Sequence, residues 1–195
     1  MNFLAHFFLS EDDEALSVGN FLADFISKRE ADSLPESIQR GIRLHRLIDQ
    51  YTDEHPLVRQ GISRLHAHHR KYARVVLDVF YDFFLIHNWP QYSVESLDDF
   101  TARIYGMLLR QKGNMPNSVQ DRLPAMVNAN WLQGYGHEEG LAYTFFRMSR
   151  RVSQPAHLEN VLETLRLYEA EMNAEFNAFF PDVVQEAVVW KATLE

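Results

Sequence analysis

The chain has 195 residues, 46% hydrophobic and 24% charged, with 19 Lys+Arg against 27 Asp+Glu and a formal net charge of −8. This excludes a disordered chain, argues against general nucleic-acid binding and, with no cysteine present, removes disulfides, thiolate metal sites and cysteine nucleophiles. No segment holds the ~18 uninterrupted apolar residues of a membrane span, and the apolar start lacks a basic n-region and a cleavage site, so a soluble cytoplasmic protein with no membrane partner is expected.

Apolar residues recur at three- and four-residue steps throughout, and the chain reads as one all-α domain over 1–195, a helical bundle. In chain order, helices are expected near 2–9, 12–28, 35–53, 57–68, 70–88, 93–111, 117–129, 138–150, 156–179 and 182–193, with loops at 113–116 and 131–136. Start signals fall at Ser10-Glu11-Asp12-Asp13, at Ser33-Leu34-Pro35-Glu36 as a capping box, and at Ser93 and Ser153. His55-Pro56 and Phe180-Pro181 read as helix boundaries, because the residue before proline is pushed out of the α region.

The stretch from Val75 to Ile86 is apolar nearly all round and reads as a central buried helix, yet it carries Asp78 and Asp82 one turn apart. Buried carboxylates need a cation, a metal or a water-filled cleft. His45, Asp49 and Asp53 fall at i, i+4 and i+8, roughly along one helix face. Asp24 lies between Phe21 and Phe25, and His6 within Phe3-Leu4-Ala5-His6-Phe7-Phe8. Each has an ordinary structural reading alone. Together, His6, Asp24, His45 and the Asp78/Asp82 pair sit on separate apolar helices, and convergence on one divalent cation would satisfy them all. Mostly oxygen ligands with one or two imidazoles favour Mn²⁺, Mg²⁺ or Fe²⁺ over structural zinc.

Several linked stretches resemble one family. Met1-Asn2-Phe3-Leu4-Ala5-His6, Gly19-Asn20-Phe21-Leu22-Ala23-Asp24-Phe25, Gly41-Ile42-x-x-His45-Arg46-x-Ile48-Asp49 with Thr52-Asp53, and Leu77-Asp78-Val79-x-x-Asp82-x-Phe84-Leu85 are similar, in order and spacing, to the acyl carrier protein phosphodiesterases. The likeness covers about the first ninety residues most closely, with Trp131-Leu132 and Phe146-Arg147-Met148-Ser149-Arg150-Arg151 recognisable later.

That resemblance implies a divergent HD-type metal phosphohydrolase fold, although the adjacent His-Asp dipeptide of HD enzymes is absent. It implies Mn²⁺-dependent hydrolysis of the phosphodiester joining 4′-phosphopantetheine to a serine of holo-acyl carrier protein, releasing the apo-carrier. Asp24, His45 and Asp78 are the expected metal ligands, with His6 and Asp82 as further ligands or as residues that orient them. Asp49 is expected to hold the His45 imidazole or act as general base, and Arg46 to donate to a phosphate oxygen. Arg40, Arg43, Arg147, Arg150 and Arg151 are expected to face the acidic carrier. One departure stands out: Phe83 occupies the position after Asp82 where the family is expected to have histidine, so either that histidine is dispensable in the family or another group such as His87 or His69 takes its role. The competing reading is an HD-like enzyme acting on a nucleotide or other small phosphodiester. Oligomeric state is left open.

Overall fold

Helix α1 (Phe3–Ser10) brings an almost wholly apolar segment into the centre of the molecule, where Leu4, Ala5, His6, Phe7 and Leu9 are all buried. The computed structural model describes residues 1–10 and 13–194. After α1 come α2 (Glu14–Leu22), α3 (Lys28–Ala31), α4 (Glu36–Glu54), α5 (Pro56–His69), α6 (Ala73–His87), α7 (Trp89–Tyr92) and α8 (Leu97–Arg110). The chain continues through α9 (Asn117–Gln120), α10 (Leu123–Asn128), α11 (Trp131–Gly134), α12 (Glu138–Ser149) and α13 (Val161–Thr193), and no strand occurs among the described residues. The protein is all-α, as the periodicity predicts. No helix is long and apolar enough to cross a membrane among the described residues.

Helix α6 is the buried helix expected from its sequence: Val76, Leu77, Phe80, Phe84 and Leu85 are each almost fully enclosed. Helices α2 and α4 meet at two glycines. A Cβ on Gly19 would lie 2.0 Å from the Ile38 carbonyl oxygen, and one on Gly41 would lie 2.1 Å from that of Leu16. Only glycine permits so close a backbone approach. On the far side, α13 packs its Phe176, Phe179, Phe180 and Val183 into the core. A bidentate pair, Arg64 to Glu175 at 2.6 Å on both arms, ties α5 to α13.

Several expected boundaries move. The helix expected over 12–28 ends at Leu22, because Ser27 and Glu30 form a capping box that starts α3. Asp13 caps α2, its side chain accepting from the Leu16 amide at 2.9 Å; Glu11 and Asp12 of the same start signal lie outside the described residues. No capping box forms at Ser33: its hydroxyl donates to the Glu30 carbonyl, and Pro35 holds the N-cap position of α4. Ser96 rather than Ser93 caps α8, accepting from the Asp99 amide, while Ser93 closes the short α7. Ser153 receives Lys71 instead of capping a helix, and α13 starts at Val161 behind Asn160. The stretch 117–129 divides into α9 and α10, and the loop expected at 131–136 contains α11.

His55 is extended between α4 and α5, as its proline neighbour requires. Pro181, by contrast, lies inside α13. Phe179, Phe180 and Val183 are fully buried on either side of it, and that packing outweighs the one missing amide donor.

Candidate metal centre and its cavity

Two buried imidazoles form the floor of the site. His6 of α1 is 2% exposed, and its ring stacks on that of His45 from α4 with centroids 4.1 Å apart and 13° between planes. The Gly19–Gly41 crossing explains how His45 is oriented. It brings Asn20 of α2 beside α4, where its Oδ1 meets His45 Nδ1 at 3.0 Å, while Asn20 Nδ2 donates to the His6 carbonyl and to Ser10 Oγ. With Nδ1 committed as donor to Asn20, the Nε2 of His45 faces Asp49 Oδ2 at 3.1 Å and Asp24 Oδ1 at 3.5 Å.

Asp49 lies one turn beyond His45 and reaches both rings, with Oδ1 3.2 Å from His6 Nε2. That approach is off the line of a hydrogen bond, so both ring nitrogens of buried His6 lack a hydrogen-bond partner. Ligand atoms of His6, His45 and Asp49 all lie within 4.8 Å of one another, a spacing at which one metal ion reaches all three. Asp24 is 44% exposed and flanks His45, while Asp78 of α6 meets the Met1 amino group; neither belongs to that close set of three. The α-amino group of Met1 sits 3.2 Å from both Asp49 and Asp78, an indication of how strongly these carboxylates hold a cation.

Electrostatics separate the two imidazoles. Burial pushes His6 down to about 4, helped by the neighbouring His45 charge, so it is neutral at pH 7. Burial opposes charge on His45 too, but the Asp24 and Asp49 carboxylates outweigh it and raise that ring to about 9. Burial would raise Asp49, yet the close His45 and His6 rings and the Met1 ammonium hold it far below the usual carboxylate range. Because folding raises the His45 pKa, its protonated form contributes stability that is complete below the ordinary histidine value and is lost as pH rises through about 9. Thermal unfolding of metal-free wild type and His45→Gln from about pH 6 to about pH 10 is expected to show the gap between them closing over that window. A constant gap would mean that no imidazolium sits between the carboxylates.

Asp82, read from sequence as a ligand or an orienting group, turns both oxygens toward α1 and stands apart from this cluster. It accepts from the Leu4 and Ala5 amides at 2.8 and 3.0 Å and is fully buried. Burial outweighs those two bonds and raises Asp82 to about 7. Phe83 is buried against Phe84 and His87. His87 Nε2 donates to the Gly136 carbonyl and His69 Nδ1 to that of His157, so each of these rings has one nitrogen committed elsewhere.

The carboxylates open into a cavity of about 620 Å³. Asp24, Asp49 and Asp78 line one part; Phe21, Phe25, Met126, Trp131, Tyr143 and Met148 supply apolar wall; Arg122, Arg147 and Arg151 also face it. Arg147 is held between two rings, 5.2 Å from the Trp131 centroid and 5.7 Å from that of Tyr143. Arg150 lies outside the cavity over exposed Phe146. Elsewhere arginines pair with acids, as Arg43 does with Glu36 at 2.5 Å, whereas Arg122, Arg147, Arg150 and Arg151 form no ion pair among the described residues. Arg46 is exposed and does not line the cavity, and Arg40 has a buried Nε without a partner.

The family model for acyl carrier protein phosphodiesterase matches residues 1–183. The chain belongs to the acyl carrier protein phosphodiesterase family. Among members of that family, the acyl carrier protein phosphodiesterase of Yersinia pestis is 28% identical over 188 residues, covering 96% of this chain and 97% of that protein. Those of Photorhabdus laumondii and Serratia proteamaculans are each 29% identical, covering 96% of this chain and 95% and 97% of theirs. No solved structure matches the chain at a significant level. Within this family member, Asn20, Arg122, Asn2 and Tyr135 are site residues to which sequence reasoning assigned no role. An asparagine in the apolar run of α2 was the readable signal for Asn20; Arg122 and Tyr135 gave none, because the loops that bring them to the cavity have no periodic pattern.

Proposed function

We propose that this chain is a metal-dependent hydrolase of the phosphodiester linking 4′-phosphopantetheine to the serine of holo-acyl carrier protein, acting in the cytoplasm. The observation that carries this reading is the junction, through Asp49, of a His6–His45–Asp49 cluster with a largely apolar cavity bearing arginines that form no ion pair among the described residues. A phosphodiester at the carboxylate end leaves the apolar wall for the pantetheine arm, and the arginines for an acidic carrier.

The residues fit a divalent ion: two imidazoles and several carboxylates converge, and His6 has both nitrogens unsatisfied. His6, His45 and Asp49 would hold it, with Asp24 and Asp78 beside them, and such a donor set suits Mn²⁺, with Mg²⁺ or Fe²⁺ as alternatives. A bound ion would supply Lewis-acid chemistry, polarising a phosphoryl oxygen and acidifying water. The chain's own part is positioning. Asn20 holds the His45 tautomer with Nε2 toward the site. Asp82 orients α1 and thereby His6. Arg147, within cation–π distance of both Trp131 and Tyr143, keeps its donors at the cavity wall for the carrier.

Incubating holo-acyl carrier protein with Mn²⁺ and this chain is expected to remove the mass of the phosphopantetheine group, and Asp24→Ala to abolish that loss. If well-folded wild type leaves the carrier intact but cleaves small phosphodiesters, the nucleotide-type reading replaces this one.

A further inference from the structure

One polar stretch of the cavity wall has no part in the reading above. Tyr135 follows α11 directly as its C-terminal cap, is 5% exposed and lines the cavity. Its hydroxyl lies near the Asn2 side chain but outside hydrogen-bond geometry with it. Asn2 also lines the cavity, and its Nδ2 is buried with no hydrogen-bond partner. A buried amide donor left unmet is unfavourable, and it marks a place where an acceptor belongs.

Location says which acceptor. Asn2 is one residue, about 3.8 Å along the chain, from Met1, which sits between Asp49 and Asp78. The Leu4 and Ala5 amides are fixed by Asp82, so Asn2 is held from both sides rather than on a loose end. A phosphodiester anion entering there meets three carboxylates, and its free oxygens need donors that bring no further negative charge. A phenol and a carboxamide are such donors. Burial holds the Tyr135 phenol well above the usual tyrosine range, so it keeps its proton.

We propose that Asn2 and Tyr135 form a neutral donor pair that receives the phosphoryl oxygens of the substrate. This rests on the phosphodiesterase reading and adds to it the residues that seat the phosphoryl group. Both donors are in place before substrate arrives, as electrostatic stabilisation of a phosphoryl group requires.

The test uses the full chain loaded with Mn²⁺, as wild type, Tyr135→Phe and Asn2→Leu. Inorganic phosphate is the probe, followed by ³¹P relaxation, alongside hydrolysis of holo-acyl carrier protein. Each variant is expected to weaken phosphate binding about tenfold and to lower kcat on the carrier about 100-fold, with Mn²⁺ affinity and unfolding midpoint at wild-type values. If Tyr135→Phe does not fold, Asn2→Leu decides alone. Phosphate binding unchanged in the folded variants, absent from wild type, or lost only together with Mn²⁺ overturns the proposal. A wild type inert toward the carrier whose phosphate binding still falls in the variants leaves the donor pair standing and removes the carrier reading.

Discussion

Asp49→Asn is expected to cost the site more than any other isosteric change, lowering Mn²⁺ affinity about 100-fold and carrier hydrolysis about 1,000-fold. The reason is the number of groups that converge on one carboxylate. Asp49 stands 3.2 Å from His6 Nε2, 3.1 Å from His45 Nε2 and 3.2 Å from the Met1 amino group. The carboxamide keeps the shape but loses the charge, and its nitrogen would face an imidazole as a second donor. His45, now held by Asp24 alone, is expected to fall from about 9 toward the ordinary histidine range, which NMR titration of its ring protons would follow. Metal affinity is read by calorimetry and hydrolysis by the carrier mass assay. Retention of wild-type Mn²⁺ affinity would remove Asp49 from the ligand set.

Gly41→Ala is the substitution expected to damage the fold most for its size. Its Cβ would lie 2.1 Å from the Leu16 carbonyl oxygen and 2.8 Å from the Asn20 nitrogen, both backbone atoms of α2. No rotamer change relieves that overlap; the helices must part. A loss of about 3 kcal/mol or more is expected, or about 6–12 °C in Tm for a chain of this size. Gly61→Ala is the matched control, since its Cβ meets only side-chain atoms, Leu77 at 3.0 Å and Glu175 Oε2 at 3.7 Å, and a loss of about 1 kcal/mol or less is expected. Urea unfolding of the two variants measures the difference. Parting α2 from α4 would also draw Asn20 from His45, so Gly41→Ala should weaken metal binding as well, whereas Gly61→Ala should not.

The helical class and the buried α6 were legible because three- and four-residue spacing survives in the sequence wherever a helix has one buried face. The meeting of His6 and His45 was legible for a related reason: a polar residue in an apolar helix must find a partner. That argument does not name the partner. Asp82 meets its need with two backbone amides of α1, a solution that side-chain spacing cannot express. Asp49, read as a neighbour of the ligands, reaches both imidazoles because α1 and α4 cross just where His6 stacks on His45, and crossing geometry is not written in a single helix. The arginines divided for the same reason. Arg147 and Arg151 line the cavity while Arg46 is exposed outside it, and only the packing of α12 across the site distinguishes them. Capping residues were least legible, since Ser27 and Ser96 compete with Ser33 and Ser93 and tertiary contacts choose between them.

The cavity walls have an uneven ancestry along the chain. The His6 and His45 imidazoles and the carboxylates of Asp24, Asp49 and Asp78 come from residues 6–78, whereas Arg122, Trp131, Tyr143, Arg147 and Arg151 come from residues 122–151. The candidate metal ligands and the arginines of the cavity wall are therefore encoded in successive stretches that meet only in three dimensions. A chimaera carrying residues 1–90 of one family member and the remainder of another should take its metal preference from the first parent and its choice of carrier from the second.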